Sequence, residues 1–473
     1  MGQLLDDLAI ARQVPLKFIG DLAREYGLPM QHVEFHGPTK AKVRLEAIPL
    51  LEKRPRGKYV VVTAITPTPL GEGKTLCSIG LTMALGKVGK RSACTLRQPS
   101  LGPVFGVKGG ATGGGQSQAL PADEINFHLT GDNHAVSTAH NLLSSFVDNH
   151  IFHGNALGLV AETIGWPRTT ELNDRALRGR FVITAASEVM AILALSSSYQ
   201  DMRDRLRRIV VGGSKDGRPV TAADLKCAGA MAVLLRDALK PNLLQTSDGQ
   251  ACFMHAGPFG NIAHGNSSIV ADRIALHCAD IVVTESGFGA DLGFEKFIDI
   301  KCRTSGLVPD AAVIVATVRA LKVHSGRYPV AIGKPLPPEL KDENLEALAE
   351  GLSNLRAMIR IVKAAGVPAV VCVNRFSSDS DKELQLVASE ARKEGAEAAV
   401  ADMHARGAEG GVELAQAVLR ACGQGTNLKF FYDVKDSIPK KIEAIATRVY
   451  GAQGVTFSEQ AQRQMDTLAR WGL

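Results

Sequence analysis

Residues 58–75, KYVVVTAITPTPLGEGKT, decide the fold. The run Tyr59-Val60-Val61-Val62 is short, β-branched and apolar without interruption, which predicts a central strand of a parallel sheet. Gly71, Gly73, Lys74 and Thr75 follow it, and Ser78-Ile79-Gly80-Leu81 opens a helical pattern. A tight turn that ends at a helix N-terminus points several backbone N–H groups at one place, and the helix dipole adds partial positive charge there. Such a turn is a seat for the phosphates of a nucleotide. Lys74 would reach the outer phosphates, Thr75 would offer its hydroxyl to a magnesium ion, and the glycines let the backbone come close because no Cβ intervenes. The frame departs from G-x-x-x-x-G-K-[ST] at its first position, where Thr68 stands in place of glycine. A Gly-Lys-Thr tripeptide by itself also occurs in surface turns; the strand before it and the helix after it favour the phosphate loop.

The bulk composition sets the frame around this stretch. A chain of 473 residues is long enough for roughly two to four domains and a sizeable core. The 54 basic and 48 acidic residues give a net charge of +6, and no basic block or aromatic-interleaved basic stripe occurs, so nucleic acid is not an expected partner. Cysteines stand at 77, 94, 227, 252, 278, 302, 372 and 422, without a C-x-x-C pair or zinc spacing, and several lie in apolar runs such as Val-Val-Cys-Val. They read as reduced, buried thiols. The opening MGQLLDDLAIARQV is too acidic and too broken for a signal peptide, and no run of eighteen apolar residues follows, so a cytoplasmic protein without a membrane partner is expected.

Towards the N-terminus, residues 1–50 read as two short helices bounded by Pro15 and Pro29, then HGPTKAKV and a helical RLEAIPLLEKR, together a clip on the main domain. Beyond the phosphate loop, residues 91–98 (RSACTLRQ) predict a second strand ending in Arg97 and Gln98. Strand ends border the ligand crevice in doubly wound folds, so Arg97 either grips a carboxylate or phosphate with two parallel hydrogen bonds or forms an exposed salt bridge. Seven glycines fall between 102 and 115, interleaved with Val104, Phe105 and Val107, which favours an ordered active-site loop over a linker. His128, His134 and His140 flank or follow Asp132, without the spacing of a metal site, and read as structural. Residues 243–268 place His255, Asn261 and His264 among glycines and small residues, a site-like polar loop beside an apolar strand. The next strand, within ADIVVTESGFGADLG, ends at Glu285, with Asp291 six residues on; these carboxylates suit a magnesium or an activating cation, or else a cap or salt bridge. AAVIVATV (311–318) and VPAVVCVNRF (367–376) predict further strands around the helix NLEALAEGLSNLRAMIRIVKAAG. The fold expected is α/β: a P-loop NTPase-like, mostly parallel sheet flanked by helices, with residues 1–305 as the nucleotide-binding domain and 306–473 as a second, smaller α/β domain.

TPTPLGEGKT, RQPSLGPVFGVKGGATGGG, LTGDNHAV, DLKCAGAMAVLLRDALKPNLLQT, HAGPFGNIAHGNSS, TESGFGADLGFEKF and VATVRALKVH occur in this order, and with them the chain resembles the formate–tetrahydrofolate ligase family from its first helices to its last residue. The resemblance implies an ATP-dependent ligase that joins formate to tetrahydrofolate, giving 10-formyltetrahydrofolate, ADP and phosphate through formyl phosphate. It further implies magnesium, activation by a monovalent cation such as K+ or NH4+, and a homo-oligomer, the tetramer in the family. Matched onto this chain, Thr68, Pro69, Leu70, Gly71, Glu72, Gly73, Lys74 and Thr75 bind the ATP phosphates. Lys74 and Arg97 hold the formyl phosphate, with Asp132 nearby and His264 contributing. Phosphoryl transfer depends on positioning and on positive charge around the equatorial oxygens, which agrees with those roles.

Three departures from the family pattern bear on the folate side and on assembly. The connection between FVDNHIFHGN and WPRTTELNDRALR is short where the family carries several tens of further residues, and the sequence ends at Trp471-Gly472-Leu473 where the family continues. The family stacks the folate ring between a Phe and a Trp; Phe376 matches the first, while His404 occupies the second place and offers less aromatic area. The departures leave two other expectations standing beside the ligase: an ATP-binding homologue without ligation, and an enzyme that stops at formyl phosphate or acts as a formate-dependent ATPase.

Overall fold

The strand Lys58–Ala64, β3 in chain order, stands inside a twelve-stranded sheet, and its side chains show why. Every residue from Tyr59 to Ala64 is buried. Tyr59 and Val61 enter one hydrophobic core, whereas Val60, Val62 and Ala64 enter another. Successive strand residues point to opposite faces, so an unbroken apolar run means that both faces are covered. Each fully buried valine contributes about 1.5–3 kcal/mol to that choice. The computed structural model describes residues 6–101, 112–172, 181–331 and 334–473. Most of the Gly-rich run expected as an active-site loop, residues 102–111, lies outside them.

In chain order the remaining strands are β1 (Val33–Phe35), β2 (Ala41–Val43), β4 (Ser92–Leu96), β5 (Gly113–Gly114), β6 (Ser117–Leu120), β7 (Arg168–Thr170), β8 (Phe181–Ile183), β9 (Val210–Gly213), β10 (Pro219–Thr221), β11 (Asn242–Thr246), β12 (Ala251–Met254), β13 (Ile281–Glu285), β14 (Ala311–Ala316), β15 (Ala369–Asn374) and β16 (Glu397–Ala401). The main sheet runs β1-β2-β11-β12-β4-β13-β3-β14-β15-β16, with β6 also on β11 and β5 on β6. From β12 to β16 every pairing is parallel. The other end is antiparallel, through β11 on β12, β2 on β11 and β1 on β2. The pairs β7–β8 and β9–β10 form separate ribbons.

Helices cover both faces. On one lie α1 (Lys74–Lys87) and, near the end of the chain, Val412–Cys422. On the other lie α2 (Asp132–Phe152), α3 (Val318–His324), α4 (Leu345–Ala364) and α5 (Asp381–Lys393). The sequence marks their starts: Asn344 caps α4 by accepting from Ala347 N, and Ser380 with Glu383 forms a reciprocal capping box on α5, devices worth about 1 kcal/mol each.

Two features of the layout place the site. The sheet is unbroken across 305/306, because β3 hydrogen-bonds to β13 on one side and to β14 on the other. The N-terminal segment is built into the sheet as well: HGPTKAKV forms most of the β1–β2 hairpin, and β2 pairs with β11. Among the described residues no helix is long and apolar enough to cross a membrane.

Candidate active site

The C-terminal ends of β4, β13, β3, β14, β15 and β16 lie along one edge, and the residues that follow them form the site. After β3 the chain turns through Gly71 (φ +74°) and Gly73 (φ +79°), left-handed conformations that glycine adopts without strain. Gly73 caps α1 without a side-chain hydrogen bond, and the helix N-terminus directs its partial positive charge at this turn. Glu72, almost fully buried, shapes the turn: its Oε1 accepts from Thr68 N at 2.7 Å and from Thr68 Oγ1 at 3.2 Å, while its Oε2 lies 3.8 Å from Lys74 Nζ. Thr68, where the standard frame has glycine, is therefore the partner that holds Glu72. From β15, Asn374 Nδ2 donates to the Glu72 carbonyl at 3.1 Å, and a Cβ on Gly73 would come within 2.7 Å of the same amide.

The next group comes from β13. Glu285 accepts from Thr75 Oγ1 at 2.9 Å on one oxygen, and its other oxygen lies 3.7 Å from Arg97 Nε, an ion-pair contact longer than a hydrogen bond. Arg97 also donates through Nη1 to the Pro258 carbonyl at 3.3 Å. One buried carboxylate thus joins Thr75 of the Gly-rich turn to the arginine just beyond the end of β4. Asp291 lies close by; burial raises its carboxyl above the ordinary range, opposed by its own backbone and by the charges of His324 and Lys74, and its Oδ1 is buried without a partner.

His264 is fully buried, and neither ring nitrogen has a hydrogen-bond partner. Burial, reinforced by the positive charges of Lys301, Arg97 and Lys296, pushes its pKa down to about 3, so the ring is neutral at neutral pH. Its loop is pinned by Lys296, whose Nζ donates to the carbonyls of Gly260 (2.8 Å) and Ala263 (3.1 Å), and by Gly287 N on the Gly265 carbonyl (2.9 Å). A neutral imidazole with two open nitrogens among cations can accept from or donate to an oxyacid. His255 differs: Ser268 and the Ala238 carbonyl satisfy both of its nitrogens, and it serves the fold. His140 is likewise held between Ser187 and the Pro167 carbonyl.

Asp132 starts α2 in a buried cluster. Its oxygens accept from Lys42 Nζ at 2.7 Å and from Asn242 Nδ2 at 2.8 Å, and the adjacent Asn133 donates to the Pro99 carbonyl at 2.9 Å. Asp132 therefore ties β2 and β11 to the start of α2, and Asn133 ties the chain just beyond Arg97 to the same turn. Phe376 follows β15 half-buried, with the Arg319 guanidinium 3.6 Å from its ring centre. His404 follows β16 and is exposed; its Nε2 lies 3.9 Å from Asp7 Oδ1, and its carbonyl accepts from Gln116 N. Sequence reasoning named Lys74, Thr75, Arg97 and Glu285 but missed Asn374, Lys42 and Arg319. Asn374 and Arg319 stand at or just beyond strand ends, the one local signal that could have drawn attention to them.

The donor set for a divalent cation is small. Among the described residues no three His, Cys, Asp or Glu side chains converge on one point. Magnesium is commonly held by one or two protein oxygens, with nucleotide phosphates and water supplying the rest, and the Thr75 hydroxyl beside the Glu285 carboxylate fits that pattern.

Comparison with known proteins gives a consistent result. The family model "Formate--tetrahydrofolate ligase" matches residues 5–473. The chain is 52% identical to a formate–tetrahydrofolate ligase of Roseiflexus sp. (strain RS-1) over 486 aligned positions, covering 99% of this chain and 86% of that one. It is 52% identical to the protein of the same name from Saccharopolyspora erythraea, covering 97% and 84%, and 49% identical to formate–tetrahydrofolate ligase 1 of Rubrobacter xylanophilus, covering 100% and 86%.

Proposed function

Since the chain belongs to the formate–tetrahydrofolate ligase family and joins formate to tetrahydrofolate with ATP, we propose that the reaction runs along the strand ends, from the phosphate loop after β3 to Phe376 after β15. The observation that carries this is the Thr75–Glu285–Arg97 chain, which fixes a loop hydroxyl and an arginine on one buried carboxylate. Residues 1–305 supply the nucleotide side, with Thr68 to Thr75 as a P-loop of the NTPase type, and residues 306–473 supply the folate side. We place the enzyme in the cytoplasm as a homo-oligomer; exposed Phe152 and Val233, on neighbouring helices, offer apolar surface for assembly.

The N-terminus of α1 and the Lys74 ammonium receive the ATP phosphates. A magnesium ion held by Thr75, with Glu285 behind it, would neutralise charge on the phosphate oxygens. A monovalent cation, K+ or NH4+, is kept as an activator on the family's example. A formate oxygen attacks the γ-phosphorus, the bond to the β-phosphate oxygen breaks, and ADP leaves. Lys74 and Arg97 hold the resulting formyl phosphate, which positive charge stabilises, and His264 meets its oxygens as a neutral ring. Asp132 holds the start of α2, from which Asn133 keeps the chain beyond Arg97 in place. The folate amine then attacks the formyl carbon, the carbon–oxygen bond to phosphate breaks, and the amine proton passes to the released phosphate or to solvent. Phe376 and His404 receive the folate ring.

The intermediate has a direct test. With [18O]formate, one labelled oxygen per turnover appears in inorganic phosphate, read by mass spectrometry. Unlabelled phosphate beside normal formyl-folate would rule formyl phosphate out.

A further inference from the structure

We propose that Arg319 is a positioning residue for tetrahydrofolate: its guanidinium backs one face of Phe376 and thereby makes the other face the stacking surface for the folate ring. This rests on the assignment of Phe376 to folate given above.

Arg319 is the second residue of α3, whose start is fixed by Thr317 Oγ1 accepting from Ala320 N at 3.3 Å. From there its side chain reaches across to the neighbouring strand end and lies 3.6 Å from the Phe376 ring centre. The side chain is half-buried. Its Nε is buried without a hydrogen-bond partner, and burial pulls its pKa below the usual guanidinium range, against the opposing charges of Asp379 and Glu72. A buried donor left idle on a half-buried cation carries a cost, and the ring contact offsets it. The backbone of Phe376 is held too: Phe376 N donates to Asp379 Oδ2 at 2.8 Å, and Asp379 N donates to the Phe376 carbonyl at 3.0 Å.

With its backbone and one face fixed, the phenyl ring has little torsional freedom left to lose when a second ring stacks on it. Such preorganisation raises affinity without adding contacts. The cation behind the ring also draws electron density from the far face, which favours an electron-rich reduced pterin there. Lysine cannot replace this arrangement, because only the planar guanidinium lies flat on an aromatic ring. The sheet order gives Arg319 its setting: β14 stands between β3, which carries the phosphate loop, and β15, which carries Phe376. The folate amine must approach the formyl phosphate across that strand end.

The test uses the full chain at saturating magnesium ATP and formate, with initial rates measured against tetrahydrofolate for wild type, Arg319→Leu, Arg319→Lys, Phe376→Leu and the double variant Arg319→Leu/Phe376→Leu. Arg319→Leu should raise KM for tetrahydrofolate about tenfold, Arg319→Lys should recover only part of that, and KM for ATP and formate should stay within about twofold. The double variant should be no worse than Phe376→Leu alone, because both remove one stacking surface. An unchanged folate KM in Arg319→Leu beside a raised one in Phe376→Leu would overturn the proposal and leave the folate site standing. An equal rise in the ATP KM would overturn it by moving Arg319 to the phosphate side. If neither variant alters the folate KM, the placement of folate on Phe376 fails first and the proposal with it. Should Arg319→Leu not fold, Arg319→Lys decides between the same outcomes.

Discussion

Asp132 and Lys42 form a pair in which both side chains are almost completely buried, at 2.7 Å. Removing one member of such a pair strands the other charge out of water, so Asp132→Ala should lower stability by about 3–5 kcal/mol. Replacing both, as Lys42→Met with Asp132→Leu, should recover most of that, which urea unfolding would show; a double variant as unstable as the single would mean that the pair is not what the site depends on. Whether activity returns with stability separates a role in holding α2 beside Pro99 from a direct role in the chemistry. The sequence marked Asp132 only through its resemblance block, and Lys42 not at all, because a lysine on a three-residue strand carries no local sign that it will be enclosed. Lys74, Thr75, Arg97 and Glu285 were legible for the opposite reason: Lys74 and Thr75 stand where a Gly-rich turn after an apolar strand meets a helix, and Arg97 and Glu285 stand at or just beyond the end of an apolar strand run, where the fold class itself predicts ligand contact. Arg319 acquires its meaning only from Phe376 just beyond the next strand, a contact made by tertiary structure.

Among the elements, α3 and α4 pack closely where Gly351 meets Leu321. A Cβ on Gly351 of α4 would lie 1.8 Å from the Leu321 carbonyl oxygen of α3, and backbone cannot yield as a flexible side chain does. Gly351→Ala should therefore force the two helices apart and cost at least about 2 kcal/mol, and because Arg319 rides on α3, the KM for tetrahydrofolate should rise more than the KM for ATP. A variant with wild-type melting temperature and folate KM would show that the helix pair is looser than this packing implies. At this scale the buried parallel strands were readable, since an apolar β-branched run bounded by glycine or proline admits few other structures. The antiparallel end was not. Residues 243–268 read as one polar loop beside a strand, whereas the structure makes a hairpin of β11 and β12 turning through Asp248-Gly249, with Gly249 at φ +80°. That Asp-Gly pair between apolar runs is a hairpin signal, outweighed by the histidines and glycines that follow it. The N-terminal hairpin β1–β2 escaped because its strands are only three residues each, too short for periodicity to show.

For the whole molecule, one sheet carries both the Gly-rich turn after β3 and Phe376 after β15, two strands apart across β14. With the turn assigned to phosphate and Phe376 to folate as proposed, the order of strands sets the order of substrates along the edge. The central claim is that this edge completes the ligation rather than stopping at nucleotide binding or at formyl phosphate. The measurement that tests it most directly is the simultaneous yield of 10-formyltetrahydrofolate and ADP from formate, magnesium ATP and tetrahydrofolate, with Lys74→Ala as control. The two products should form in equal amounts, and Lys74→Ala should lose at least about a hundredfold of both. ADP released in the presence of formate without formyl-folate, or ATP bound with neither product formed, would contradict it.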